Sequence, residues 1–154
     1  MKTIEQWFHL YQQSHRNPVN KGIHYLCVPV IFYATLGILD AVSQPNFLNL
    51  SVLSLPVSLG WVLVVLGGVF YLSLCSIVAL LGTLCAVLCM LSFLLFPMTY
   101  QLWVCTGLFV VAWVLQLIGH KIEGRKPSFL NDLLFLLIGP LWILQEAKKL
   151  FYRG

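Results

Sequence analysis

FLNLSVLSLPVSLGWVLVVLGGVFYLSLCSIVALLGTLCAVLCMLSFLLF, residues 47–96, runs without a single Asp, Glu, Lys, Arg or His. As one helix it would reach ~75 Å, against a bilayer hydrocarbon core of ~30 Å. The stretch must therefore fold back on itself. Two spans, over 52–71 and 75–96 with a turn near Ser73, account for it. Gly67, Gly68 and Gly82 are small enough to let helices approach closely, within the chain or between copies in a homo-oligomer.

The same character extends outward. Residues 41–119 carry no Asp, Glu, Lys, Arg or His, and between His24 and His120 the only charge is Asp40. The chain is 60% apolar and 9% charged, with mean hydropathy +0.90, where soluble domains hold about a quarter charged residues. Too little polar surface remains to cover such a chain in water, so its solvent is lipid. Before the hairpin, Asn17-Pro18 reads as a helix cap and first turn, opening a span over 20–41 that ends at the turn Ser43-Gln44-Pro45-Asn46. After it, Pro97-Met98-Thr99 breaks the chain before a span over 100–119. The final apolar segment, Leu133 to Leu144, lies between Asp132 and Glu146 and is interrupted by Gly139-Pro140. It suits a short or re-entrant helix over 129–147 better than a full crossing. Ile4, Trp7, Phe8 and Tyr11 form one stripe of an amphipathic helix over 3–13 lying on the membrane. The expected fold is all-α: one membrane domain over 1–154, a polytopic bundle of four full spans flanked by an N-terminal interfacial helix and that short C-terminal one.

Met1 to Pro18 is polar, with no apolar core of a cleavable signal. The net charge of +4 comes from clusters that flank the apolar spans: Lys2, Arg16 and Lys21, then Lys121, Arg125 and Lys126, then Lys148, Lys149 and Arg153. They read as cytoplasmic anchors of an integral membrane protein, in a bacterial inner membrane or in endoplasmic reticulum according to source. No basic stripe interleaved with aromatics marks a nucleic-acid partner. The five cysteines lie in or beside apolar segments without a disulfide framework, and read as small packing residues.

Four crossings separate His24 from His120. An even number places His15, His24, His120 and Glu123 at one membrane face, the cytoplasmic one by the charge rule. Asn17, Asn20 and His24 share one helix face; Gln116, His120 and Glu123 share another. A basic turn, Gly124-Arg125-Lys126-Pro127, and Asn131-Asp132 follow. Three imidazoles without a thiolate suit a catalytic iron or zinc ion. Each group also has a plainer explanation. Lone histidines can be solvated at the headgroup level, Arg125 and Lys126 can be anchors, Glu123 can pair with Lys126, and Asp132 can cap the following helix. His9, off the apolar stripe, reads as a surface residue.

Two segments are more specific. His15-Arg16-Asn17-Pro18-Val19-Asn20-Lys21-Gly22-Ile23-His24, continuing to Val28-Pro29, resembles the amino-terminal motif of the membrane-bound 2-hydroxy fatty acid dioxygenases. Trp113 through Gln116, His120, Glu123, Arg125, Lys126, Pro127 and Phe129, and on to Gly139-Pro140, is similar to the second motif of that family in its bacterial form. The central spans match only in hydrophobicity and length. The resemblance implies an Fe(II) dioxygenase that uses molecular oxygen to shorten a 2-hydroxy fatty acid by one carbon. In fungi such enzymes serve phytosphingosine breakdown at the endoplasmic reticulum. The family's histidines carry over onto His15, His24 and His120 as metal ligands. A second histidine, frequent in fungal members, is Arg16 here, so that position is no ligand. Fungal members carry one more residue before Pro127, so the role of Glu123 stays open. The expected assignments are Glu123 or Asp132 as fourth ligand, general base or ligand support, and Arg125, Lys126, Asn17 and Asn20 around the substrate carboxylate, with the acyl chain between the spans. The competing classes are a zinc-dependent lipid hydrolase, a haem-binding carrier and a non-catalytic lipid-binding protein.

Overall fold

The computed structural model describes residues 2–43, 51–52, 55–56, 58–95, 97–127 and 134–151. These contain six α-helices: α1 (Ile4–Gln12), α2 (Pro18–Ser43), α3 (Leu59–Ser73), α4 (Ile77–Ser92), α5 (Met98–Glu123) and α6 (Phe135–Phe151). A 3-10 turn, Phe93–Leu95, extends α4, and a two-residue antiparallel pair, Ser51–Val52 with Leu55–Pro56, precedes α3. Asn131 and Asp132 lie outside the described residues, as do Gln44, Pro45 and Asn46 of the expected turn.

Local chemistry sets the helix ends. Thr3 and Gln6 form a reciprocal capping box on α1. The side chain of Asn17 accepts from the N–H groups of Val19 (2.9 Å) and Asn20 (3.4 Å), so Pro18 stands where a helix needs no donor. Gly124, at φ 72°, ends α5 in the left-handed conformation that glycine adopts without a Cβ clash.

Among the described residues three helices are long and apolar enough to cross a membrane: Pro18–Ser43, Ile77–Leu95 and Tyr100–Glu123. The expected span over 52–71 is, in the described residues, the shorter helix α3. Outward-facing apolar side chains such as Val65, Leu72, Leu84, Trp103 and Val111 are more than half exposed, the surface of a protein solvated by lipid. Gly67, Gly68 and Gly82, the close-approach positions, face inward against Leu137, Thr83, and Leu141 with Tyr71.

α2 and α5 form the central antiparallel pair. At one end Asn20 Nδ2 meets Glu123 Oε2 at 3.1 Å; at the other Gln101 Nε2 reaches Gly37 O at 3.0 Å and Asp40 Oδ2 at 3.1 Å. A Cβ on Gly119 would stand 2.4 Å from Asn20 Oδ1, so only glycine lets the helices approach this closely. α3 and α4 turn at Leu74–Cys75, near the expected Ser73. Two cores result. One gathers Ala34, Leu36, Val64, Ala86, Met90, Phe93 and Cys105 toward the Asp40 end. The other joins Trp7 and Tyr11 of α1, Tyr71 and Val78 beside the turn, and Ile138, Leu141 and Trp142 of α6. Thus α1 and α6 roof the end of the bundle that carries Asn20 and Glu123.

Candidate metal centre

His15 follows α1, His24 lies one turn after Asn20 in α2, and His120 is in the last turn of α5. All three are buried, 1%, 1% and 6% exposed. Their ring centroids are 4.3, 5.0 and 4.8 Å apart, with the rings near perpendicular. One ring nitrogen from each lies within 4.8 Å of the others, a group that could hold a metal ion.

The tautomers follow from the surroundings. His15 Nδ1 is 2.7 Å from Tyr11 O, and His24 Nδ1 is 2.9 Å from Asn20 O. A carbonyl only accepts, so both Nδ1 atoms carry the proton and both Nε2 atoms keep a lone pair. His120 bonds the backbone of Arg125. Its Nδ1 is buried without a partner, as is His15 Nε2, so the Arg125 contact belongs to His120 Nε2. Each imidazole is thus oriented through one nitrogen by the main chain and offers the other to the same small space, the arrangement that metal-ligating histidines use. Leaving such atoms buried and unsatisfied is costly, and an ion between them would remove the cost. Burial, with His24 nearby, lowers His15 to a pKa of about 3, which keeps it neutral and able to ligate.

The surroundings hold this arrangement rigidly. The Tyr11 ring stacks on His15 at 4.1 Å with 9° between planes, and Trp142 packs against both rings, 5.7 Å from His15 and 5.3 Å from Tyr11. Glu123 accepts from Arg16 N (2.9 Å), Asn17 N (2.8 Å) and Asn20 Nδ2. It thereby ties the end of α5 to the chain between His15 and His24. Asn20 Nδ2 also donates to Ser14 O at 3.2 Å. Asn17 and Asn20, expected around the substrate, are tied into this framework through Asn17 Oδ1 and Asn20 Nδ2 and do not line the cavity. Glu123 makes these contacts and is not in the metal-capable group of three histidines. Arg125 and Lys126 are exposed just beyond His120, and His9 is exposed on α1.

A cavity of about 450 Å³ opens from the histidines, within the ~300–1,000 Å³ range of ligand sites. It follows Val28, Ile31, Phe32 and Thr35 down α2 and Gln116, Trp113 and Phe109 up α5, with Phe135, Leu136 and Leu137 covering one side. From His24 to Thr35 the helix rises ~16 Å. The lining is apolar apart from the histidines and a few polar atoms, and among the described residues no Lys or Arg contributes to it. Sequence reasoning did not find Tyr11 or Trp142; the only signal was Tyr11 standing one turn before His15.

The family described as 2-hydroxy-palmitic acid dioxygenase Mpo1-like matches residues 1–75 and 74–150. The 2-hydroxy-palmitic acid dioxygenase MPO1 of Saccharomyces cerevisiae is 29% identical over 143 residues, which cover 88% of this chain and 74% of the yeast protein. No solved structure matches.

Proposed function

The chain belongs to the Mpo1-like family, and from that premise we propose that it is an Fe(II)-dependent dioxygenase converting a 2-hydroxy fatty acid to the fatty acid one carbon shorter. The observation that carries the reading is the set of three buried imidazoles, each oriented by the main chain, at the head of an apolar cavity. The reaction balances as R–CH(OH)–COOH + O2 giving R–COOH + CO2 + H2O.

His15 Nε2, His24 Nε2 and His120 Nδ1 would hold the iron. When bound, the ion supplies the electron chemistry that lets dioxygen react with the 2-hydroxy acid. Three protein nitrogens alone would leave a held ion open to a further small molecule from the cavity. The apolar walls take the acyl chain and keep water from the head group. Exposed Arg125 and Lys126 attract the carboxylate as it leaves the membrane surface. Glu123 orients the ligands through Arg16, Asn17 and Asn20. Asp132 keeps its expected role as an acid–base or ligand-supporting carboxylate, and Asn17 and Asn20 act on the substrate through the frame they build.

We propose further that α2 to α5 make four crossings, with the site at one face and α6 kept at that face as a short or re-entrant helix. In support, α6 meets Tyr11, Val28, Tyr71 and Gly82, all on the histidine side. The flanking cations make that face cytoplasmic. The test is oxygen uptake by detergent-purified protein with 2-hydroxypalmitate, before and after Fe(II) is restored to chelated enzyme. Iron-dependent uptake with one pentadecanoate formed per O2 is expected. Iron-loaded protein that consumes no oxygen with any 2-hydroxy acid overturns the proposal.

A further inference from the structure

Gln116 is 8% exposed, and its Nε2 is buried without a hydrogen-bond partner. It lines the cavity one turn before His120 on the same face of α5, ~6 Å along the helix axis. Across the cavity stand Val28 and Phe32 of α2 and Leu136 and Leu137 of α6, none of which offers a side-chain acceptor. Thr35, farther down the cavity, donates to Ile31 O at 2.7 Å. A buried amide nitrogen without an acceptor, on a side chain that lines a cavity, is destabilising unless something comes within reach to accept from it.

We propose that Gln116 Nε2 binds the carboxylate of the substrate, donating to the oxygen that faces away from the histidines. This rests on the dioxygenase reading above and adds the residue that selects the acid. A donor discriminates among the groups of a 2-hydroxy acid. The carboxylate is an anionic acceptor with an oxygen to spare after one reaches the imidazole cluster. The hydroxyl at that cluster presents a proton and would instead require an acceptor. Among the described residues no cation lines the cavity, so this neutral amide supplies the recognition there, while Arg125 and Lys126 act outside.

The experiment measures equilibrium binding to zinc-loaded protein by intrinsic tryptophan fluorescence, comparing 2-hydroxypalmitic acid with 1,2-hexadecanediol, which keeps the hydroxyl and chain but lacks the carboxylate. The wild type should favour the acid. Gln116→Met, close in shape, and Gln116→Leu should weaken acid binding roughly 10- to 100-fold while leaving diol affinity and zinc content unchanged. In the iron enzyme the same variants should raise KM more than they lower kcat. Equal weakening of acid and diol, or unchanged acid binding, overturns the assignment of Gln116. A wild type that binds neither compound would instead overturn the dioxygenase reading on which the assignment rests. Variants that fail to insert are recognised by lost zinc binding, and Gln116→Asn then serves, with acid preference expected to fall and diol binding to persist.

Discussion

The two ends of the α2–α5 pair hold polar clusters of similar make-up and opposite completeness. At the far end Asp40 accepts from Ser58 Oγ (2.5 Å) and Gln101 Nε2 (3.1 Å), Gln101 also reaches Gly37 O, and Ser43 Oγ accepts from Leu59 N. Among the described residues there, no side-chain nitrogen or oxygen is buried without a partner, and the surroundings are filled by Leu36, Met90 and Phe93. At the near end Glu123 is equally well bonded, yet Asn20 Oδ1 in its frame is left over, as are His15 Nε2, His120 Nδ1 and Gln116 Nε2 on residues that line a cavity. Ionisable residues in a lipid-embedded chain are functional by default, but here the two carboxylates are clasps. What separates a site from a clasp is unsatisfied donors and acceptors with space before them.

The sharpest way to break this contrast is to exchange the ends. His24→Ala should lower turnover by at least about a hundredfold, since a ligand contributes at least as much as the ~10–100-fold typical of groups that merely orient one. The protein should still insert in the membrane. Next come the carboxylates. Glu123→Gln removes the charge that accepts from Arg16, Asn17 and Asn20, with an expected loss of ~1–3 kcal/mol in stability and roughly tenfold or more in activity. Asp40→Asn should cost comparable stability in detergent unfolding while activity stays within about threefold. Equal activity losses from the two would erase the distinction between the ends.

The membrane character and the shared face of the histidines were legible in the sequence. An uncharged stretch this long allows no other solvent; the four crossings were an expectation from its length, and among the described residues three helices are long enough to cross while α3 is shorter. Asn17 as a helix cap was legible too, because capping needs only local residues. The partners of Glu123 were not, since they depend on Arg16 and Asn17 arriving from a hundred residues away. The depth of the cavity and the clasp at Asp40 depend on register between helices of nearly uniform hydrophobicity, which pattern alone does not encode. The docking of α6 onto α1, which brings Trp142 to His15, depends equally on tertiary packing.

A subtler test of the open end is its response to acid. In the metal-free protein His15 titrates at about 3 against an ordinary 6.5. Between those values the unfolded chain binds a proton that the folded chain refuses, so stability falls as pH drops below 6.5. The contribution is up to about 1.4 kcal/mol per pH unit. Thermal unfolding at pH 7.5 and 5 should show this loss, and His15→Phe should reduce it without abolishing it, since His24 and His120 are buried beside it. The smallest expected effect lies in the spacing of the pair. Gly119→Ala sets a Cβ against Asn20 and should cost ~1–3 kcal/mol, while Gly107→Ala, with nothing within 4 Å, should be neutral or stabilising by ~0.5–1 kcal/mol. Chemical unfolding of the two variants reads the difference directly.

The account stands or falls on the open end holding a metal. Purified metal-free protein, titrated with Fe(II) under anaerobic conditions and freed of unbound ion, should retain one iron per chain. Asp40→Asn should retain the same amount and His24→Ala should retain little or none. Wild-type protein that keeps no iron, or a His24→Ala variant that keeps it fully, would contradict the assignment of the three histidines.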